Sequence, residues 1–238
     1  MERSIADQGV HELGGRLSVL TRQKQDHVEL DRLLRQLDGA DASAQGLVLL
    51  RIHRLVFPHA FAEEAVLWPV VRRVLPDGHE LTLEVEREHQ EVNELVTALE
   101  AMAAEDPARG PLLARLAAVL REDVRDEEDV LLPRLQRALG RRRLRALGLA
   151  WEVVRRTAPT RAHPVVARRP PGNVVAAVPL SVLDRLRDLV DGAVLRGPGR
   201  SAPALRSVST RLAGLAHRVE HLSVMRRGED PSTRPPRT

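Results

Sequence analysis

The sequence predicts an all-α protein: an up-down-up-down four-helix bundle followed by a mostly helical, linker-containing C-terminal extension. Three observations carry this. An eleven-residue pattern occurs twice, as His-Ala-Phe-Ala-Glu-Glu-Ala-Val-Leu-Trp-Pro over 59–69 and Asp-Val-Arg-Asp-Glu-Glu-Asp-Val-Leu-Leu-Pro over 123–133. A repeat of this kind reads as two copies of one helical hairpin. Leucines recur at helical spacing through the first 37 residues, as in Leu13, Leu17, Leu20, Leu30, Leu33, Leu34 and Leu37. The chain is 43% hydrophobic but only 2% aromatic, so its core is Leu, Val and Ala, which suits helix packing better than a β-sandwich.

The elements follow in order. A first helix is expected over 13–37, broken by Asp38-Gly39-Ala40-Asp41-Ala42-Ser43, with Ser43 as N-cap of the next. The second covers 44–75 and stops at Pro76-Asp77-Gly78, and the third covers 79–104. A loop over 105–110 precedes the fourth helix, which has Pro111 as its first residue and ends before Gly140. Pro58, Pro69 and Pro133 fall inside helices and each should bend its helix. Beyond the bundle, a short Arg-rich helix is expected over 141–156. A proline-rich extended linker follows over 157–179, then two amphipathic stretches over 180–195 and 203–226, and a disordered end from Gly228 to Thr238.

Charge divides the chain at the same place. Residues 1–139 hold 17 Lys and Arg against 26 Asp and Glu, and residues 140–238 hold 20 Arg against 7 acids. The reading is a bundle domain over 1–140 and a basic Arg/Pro-rich extension over 141–238. With no Cys, the chain has no disulfide, thiolate metal site or thiol catalysis; with no Tyr, it has no tyrosyl radical. No apolar run is long enough for a signal peptide or a membrane span, so a cytoplasmic protein without a membrane partner is expected. The basic extension shows no helix-turn-helix, zinc finger or aromatic-interleaved basic patch. It is therefore expected to pack its arginines on the acidic bundle rather than bind nucleic acid, with any protein partner unassigned.

The repeat also carries the chemistry. His59 and Glu63 are four apart, so they share one face of a helix and reach one ion together. Asp123 and Glu127 repeat the spacing on the fourth helix. The first and third helices each add a histidine, His27 and His89. The set is three His, one Asp and two Glu. Nitrogen and carboxylate donors without thiols suit iron or manganese, and zinc less selectively, and the two Glu could bridge two ions. His53 is six residues before His59 and faces elsewhere. His217 and His221 are four apart without an evident third ligand. A ferritin-like site needs two Glu-x-x-His motifs, and Glu86-x-x-His89 is the sole instance.

Over about residues 15–138 the sequence resembles the hemerythrin-like (HHE cation-binding) family. The resemblance rests on Asp26-His27, His59-x3-Glu63-Glu64-x3-Trp68-Pro69, Glu88-His89 and Glu127-Glu128-x3-Leu132-Pro133. It implies a four-helix bundle around a non-haem di-iron centre, with ligand roles on His27, His59, Glu63, His89 and Glu127. It also implies binding or sensing of oxygen, iron or redox state, or else enzymatic action on peroxide or nitric oxide. The sequence departs from the family pattern at Asp123, where His is expected. That leaves room for a changed second site, for substitution by Glu64 or Glu128, or for an interaction protein with a decayed centre. The segment from Ala158 through Arg185 resembles an extension found in some bacterial members and implies no function.

Overall fold

A computed structural model describes residues 3–103, 106–197 and 199–233, and these are helical and without strands. The chain enters through a short 3-10 turn at Ile5–Asp7 that buries Ile5. It then reverses at Gly14 and Gly15, whose φ angles of 94° and 99° are open to glycine and strained for other residues. Helix α1 (Val19–Asp38) therefore begins six residues later than predicted, and Leu17 is left exposed before it.

The second bundle helix is built from α2 (Ala42–Ala62), a π-helical turn at Glu63–Leu67, and α3 (Trp68–Val74). Its N-cap is Asp41, not Ser43: the Asp41 carboxylate accepts the Ala44 N–H at 2.9 Å. The third bundle helix is α4 (Gly78–Ala101); residue 104, its predicted end, lies outside the described residues. The fourth is α5 (Arg109–Asp126), a second π turn at Glu127–Leu131, and α6 (Leu132–Ala138). It starts two residues before its predicted first residue, Pro111, which lies in the first turn where a missing N–H costs no helical bond.

The two π turns occupy equivalent places in the repeat and explain its prolines. Five residues on a regular α-helix are offset by about 140°. Yet Glu63 and Trp68 are both fully buried, and so, nearly, are Glu127 and Leu132. A turn closed by i→i−5 bonds brings such pairs onto one side: the Trp68 N–H bonds the Glu63 carbonyl, and the Leu132 N–H bonds that of Glu127. Pro69 and Pro133 follow at once and have no N–H to restore the α pattern. The bend predicted from these prolines is thus a widened turn. Pro58 sits within α2 without ending it.

Every bundle helix passes from one apolar cluster to another through a polar layer. The first cluster includes Leu20, Leu67, Trp68, Val85, Leu131 and Leu132; the second includes Leu30, Ile52, Phe57, Val92, Val96 and Leu120. Between them in sequence on each helix lie His27, His59 with Glu63, His89, and Asp123 with Glu127.

The extension does not trail away. Helix α7 (Arg141–Thr157) packs on α1 and α2 and adds Leu144 and Trp151 to the first cluster. The segment predicted as a linker over 157–179 is non-helical only as far as 171 and lies against the bundle, with Thr160, Arg161, His163 and Arg168 buried. Helix α8 (Gly172–Arg196) then starts eight residues before its predicted place and runs through Pro179. It packs on α9 (Ala202–Glu220), with Ala176, Leu180, Ala216 and Met225 between them. The arginines meet bundle acids as expected: Arg161 and Arg187 bond Glu100 at 3.0 and 2.8 Å, and Arg169 bonds Glu86 at 2.6 Å. The predicted disorder is corrected over 228–233. The Ala167 and Gly172 N–H groups bond the carbonyls of Met225 and Arg227, and a 3-10 turn at Pro231–Thr233 buries Thr233. Residues 234–238 lie outside the described residues. Among the described residues, no helix is long and apolar enough to cross a membrane.

Candidate metal centre

In the polar layer His27 and His59 point their Nε2 atoms at each other, and all three predicted histidines point Nε2 at a predicted glutamate. His27 Nε2 lies 3.4 Å from His59 Nε2 and 3.2 Å from Glu127 Oε2. His59 Nε2 lies 3.1 Å from Glu63 Oε1, and His89 Nε2 lies 3.6 Å from Glu63 Oε2. Two atoms bound to one ion at about 2.1 Å stand roughly 3.0–3.4 Å apart, so this is the spacing of ligands around a cation. Two groups have donor atoms close enough to hold one: His27, His59 and Glu127, and Glu63, His89 and Glu127. Glu127 belongs to both. Asp123 stands at the edge of the second, its Oδ1 3.7 Å from His89 Nε2.

Each imidazole is also held from behind. His27 Nδ1 faces Glu128 Oε1 at 2.9 Å, His89 Nδ1 faces Glu64 Oε1 at 2.9 Å, and His59 Nδ1 faces Asp26 Oδ2 at 3.2 Å. A carboxylate in this place fixes the tautomer, leaving Nε2 free to bind. Each Glu-Glu pair thus divides its work: one carboxylate points inward, and the next orients a histidine of another helix. Glu64 and Glu128 are thus engaged by His89 and His27 at their Nδ1 atoms and do not take the inward places of their neighbours in this structure. Gln23, fully buried, donates from Nε2 to Glu63 Oε1 at 2.5 Å. Glu86 is occupied by Arg72 and Arg169, so Glu86-x-x-His89 offers no ligand pair.

The electrostatics are those of a cation site. Burial weakens the His27 imidazolium, but Glu127 and Glu128 outweigh it and raise its pKa to about 9. Burial acts likewise on His89, where Asp123 and Glu64 prevail and raise it to about 10. Burial raises Asp123 well above the usual carboxylate range, and Glu127 adds to it. It also raises Glu88, with help from Asp126, to about 7. Carboxylates that favour imidazolium so strongly would equally favour a divalent cation between them. Glu127 Oε1 is buried without a hydrogen-bond partner, while the buried Glu127 Oε2, Glu63 Oε2 and Asp123 Oδ1 have only the imidazoles of His27 and His89 near them, at 3.2, 3.6 and 3.7 Å. Buried carboxylate oxygens left this way are costly unless a cation meets them. The residues present fit a metal.

The remaining histidines are placed as their spacing indicates. His53 is buried away from the centre beside Phe57, its pKa lowered to about 4 chiefly by burial. His217 and His221 gain Glu220 as a third group, but both rings are exposed and Glu220 Oε2 is held by His163 Nδ1 at 2.7 Å.

Fold and site together define a helical-bundle protein with a histidine and carboxylate cation centre. Residues 18–135 match the family model of the hemerythrin HHE cation binding domain, and this part of the chain belongs to that family. An uncharacterized hemerythrin-like protein of Schizosaccharomyces pombe is 28% identical over 134 residues, covering 56% of this chain and 66% of that protein. The chain thus spans slightly under two thirds of that relative's length. No solved structure matches the chain.

Proposed function

We propose that this protein holds a non-haem iron centre of up to two ions and binds or senses oxygen, iron or redox state in the cytoplasm. The ligands are His27, His59, Glu63, His89, Asp123 and Glu127, with manganese or zinc as competing metals. The observation that carries the reading is the set of buried inward carboxylates facing three histidines already oriented by outer carboxylates. Iron bound there supplies redox and Lewis-acid chemistry. The space beside it supports the choice of substrate class. A cavity of about 20 Å³ is lined by His27, His59, His89 and Asp123 together with apolar residues such as Leu30, Phe57 and Leu120. That is room for one water-sized guest. Such a chamber suits a molecule of about the size of water, such as dioxygen, nitric oxide or peroxide.

The purified protein is expected to carry one to two irons per chain by metal analysis. His59→Ala should lower this sharply, whereas His53→Ala should leave it unchanged; equal loss in both would sink the assignment. Adding oxygen or peroxide to the reduced protein then decides its use. A reversible spectral change without product supports binding or sensing. Sustained oxygen release from peroxide, lost in His59→Ala, would make the protein an enzyme instead. An iron-loaded protein indifferent to both would be left as an interaction protein.

A further inference from the structure

The basic extension touches the centre at two places, and the two contacts have the same form. Asp26 Oδ2, the oxygen that faces His59 Nδ1, also lies 3.6 Å from Arg155 Nη1 on α7. Glu64 Oε1, the oxygen that faces His89 Nδ1, also lies 3.6 Å from Arg168 Nη1 in the segment before α8. Both arginines are themselves anchored. The Arg155 guanidinium lies 5.2 Å over the Trp151 ring and bonds Glu152, and buried Arg168 bonds Gln90. Trp151 meets His59 edge-on at 5.4 Å between ring centres. None of these extension residues lies within the 18–135 match.

We infer that the extension is a working part of the metal centre: Arg155 and Arg168 are positioning residues that hold the Asp26 and Glu64 carboxylates against His59 and His89. This rests on the metal reading above. A carboxylate that accepts from an imidazole on one side and faces a guanidinium charge at 3.6 Å on the other is held in place by both. The guanidinium also offsets part of its negative charge, so the carboxylate draws less on the imidazole proton and Nε2 becomes a weaker donor. Metal affinity and the ligand field at His59 and His89 therefore depend on the extension being docked. His27 is the internal contrast: its carboxylate, Glu128, is given no extension arginine by any described contact.

The test uses the full chain and cobalt(II), whose visible bands report the ligand field. Wild type, Arg155→Gln with Arg168→Gln, and Arg155→Lys with Arg168→Lys are titrated against a competing chelator. Circular dichroism and a thermal melt run beside each. The glutamine pair is expected to bind cobalt on the order of tenfold more weakly, the low end for loss of a ligand-orienting partner, with shifted bands. The lysine pair, which keeps charge but not the fork, should fall between. Wild-type affinity and bands in a folded glutamine pair would overturn the inference and leave the metal reading intact. That result with only a lowered melt would make the arginines docking residues alone. Should the glutamine pair fail to fold, the lysine pair decides, and unchanged bands there overturn the inference. No cobalt or iron bound by wild type would overturn the metal reading itself.

Discussion

On the proposed reading, a second cation would depend on Asp123. It stands where the repeat has His59, and it is the shortest oxygen donor at the centre. Its Oδ1 is buried without a hydrogen-bond partner. Asp123→Ala is therefore expected to lower metal content toward one ion per chain, and Asp123→His to keep two and shift the absorption spectrum. Unchanged content and spectrum in Asp123→Ala would reduce it to a buried acid of no consequence to metal. A second residue-scale expectation concerns His163, buried between Glu220 and Asp184, with Nδ1 at 2.7 Å and Nε2 at 3.1 Å from their oxygens. Burial lowers its pKa, but these two carboxylates prevail and raise it to about 9 from an ordinary value of 6.5. A raised imidazole stabilises fully below its unfolded pKa, and that stabilisation is lost as pH rises through the folded one. At 1.36 kcal/mol per pH unit it is worth on the order of 3 kcal/mol. The melting temperature of metal-free protein should thus fall between pH 6.5 and 9.5, and His163→Gln should start lower and fall less. Parallel profiles would show that His163 contributes nothing by its charge. Sequence made the inward residues legible, because His59 with Glu63 and Asp123 with Glu127 obey a local spacing. It hid the outer ones, because Asp26, Glu64 and Glu128 meet histidines 33, 25 and 101 residues away. No periodicity records such pairings.

At the scale of elements, α7 shows how closely the extension is fitted. A Cβ on Gly148 would lie on the Leu17 carbonyl and the Val19 N, which are backbone atoms that no rotamer change can move aside. Helix α7 therefore lies directly on the start of α1, and Trp151 is brought to His59. Gly148→Ala gains about 1 kcal/mol in helix propensity. Overpacking costs about 1–3 kcal/mol and more where backbone must shift. The clash should win, lowering the melting temperature by a few degrees and withdrawing Trp151 and Arg155 from the centre. A variant as stable as wild type would mean that α7 slides freely on α1. The sequence predicted α7 almost to the residue, because Gly140 and Pro159 bound an amphipathic run. It did not reveal the π turns. A single extra residue in a turn leaves too little trace in an aliphatic pattern, and their one clue, Pro69 and Pro133 at equal offsets, reads equally well as a bend.

At the scale of the molecule, the four-helix plan was legible because the leucine period of the first helix and the repeat agreed, while the extension was misjudged where composition stood in for packing. Five prolines over 157–179 read as a linker, yet Arg161, His163 and Arg168 from that stretch are buried against bundle or α8 groups. Proline and arginine suppress periodicity without forbidding contact. The change of charge at residue 140 proposes a bundle that stands alone as 1–140, whereas the packing assigns α7 a share in its core. Trp151 is fully buried and Leu144 nearly so, beside Leu20, Trp68 and Leu131. Losing a buried Leu costs about 2–5 kcal/mol and a buried Trp about 3–5, against a whole-domain stability of about 5–15 kcal/mol. Two truncations separate these views. Residues 1–158 keep α7 and should melt cooperatively near the full chain. Residues 1–140 should remain helical but melt far lower and expose apolar surface to a dye. A 1–140 chain that melts with 1–158 would make the charge boundary the true domain boundary and α7 an adornment. Neither truncation retains Arg168, so both should hold cobalt less tightly than the full chain, with the band shift of Arg168→Gln alone expected in 1–158. If 1–158 binds and absorbs as the full chain does, the buried segment after α7 serves the docking of α8 and α9 and not the metal.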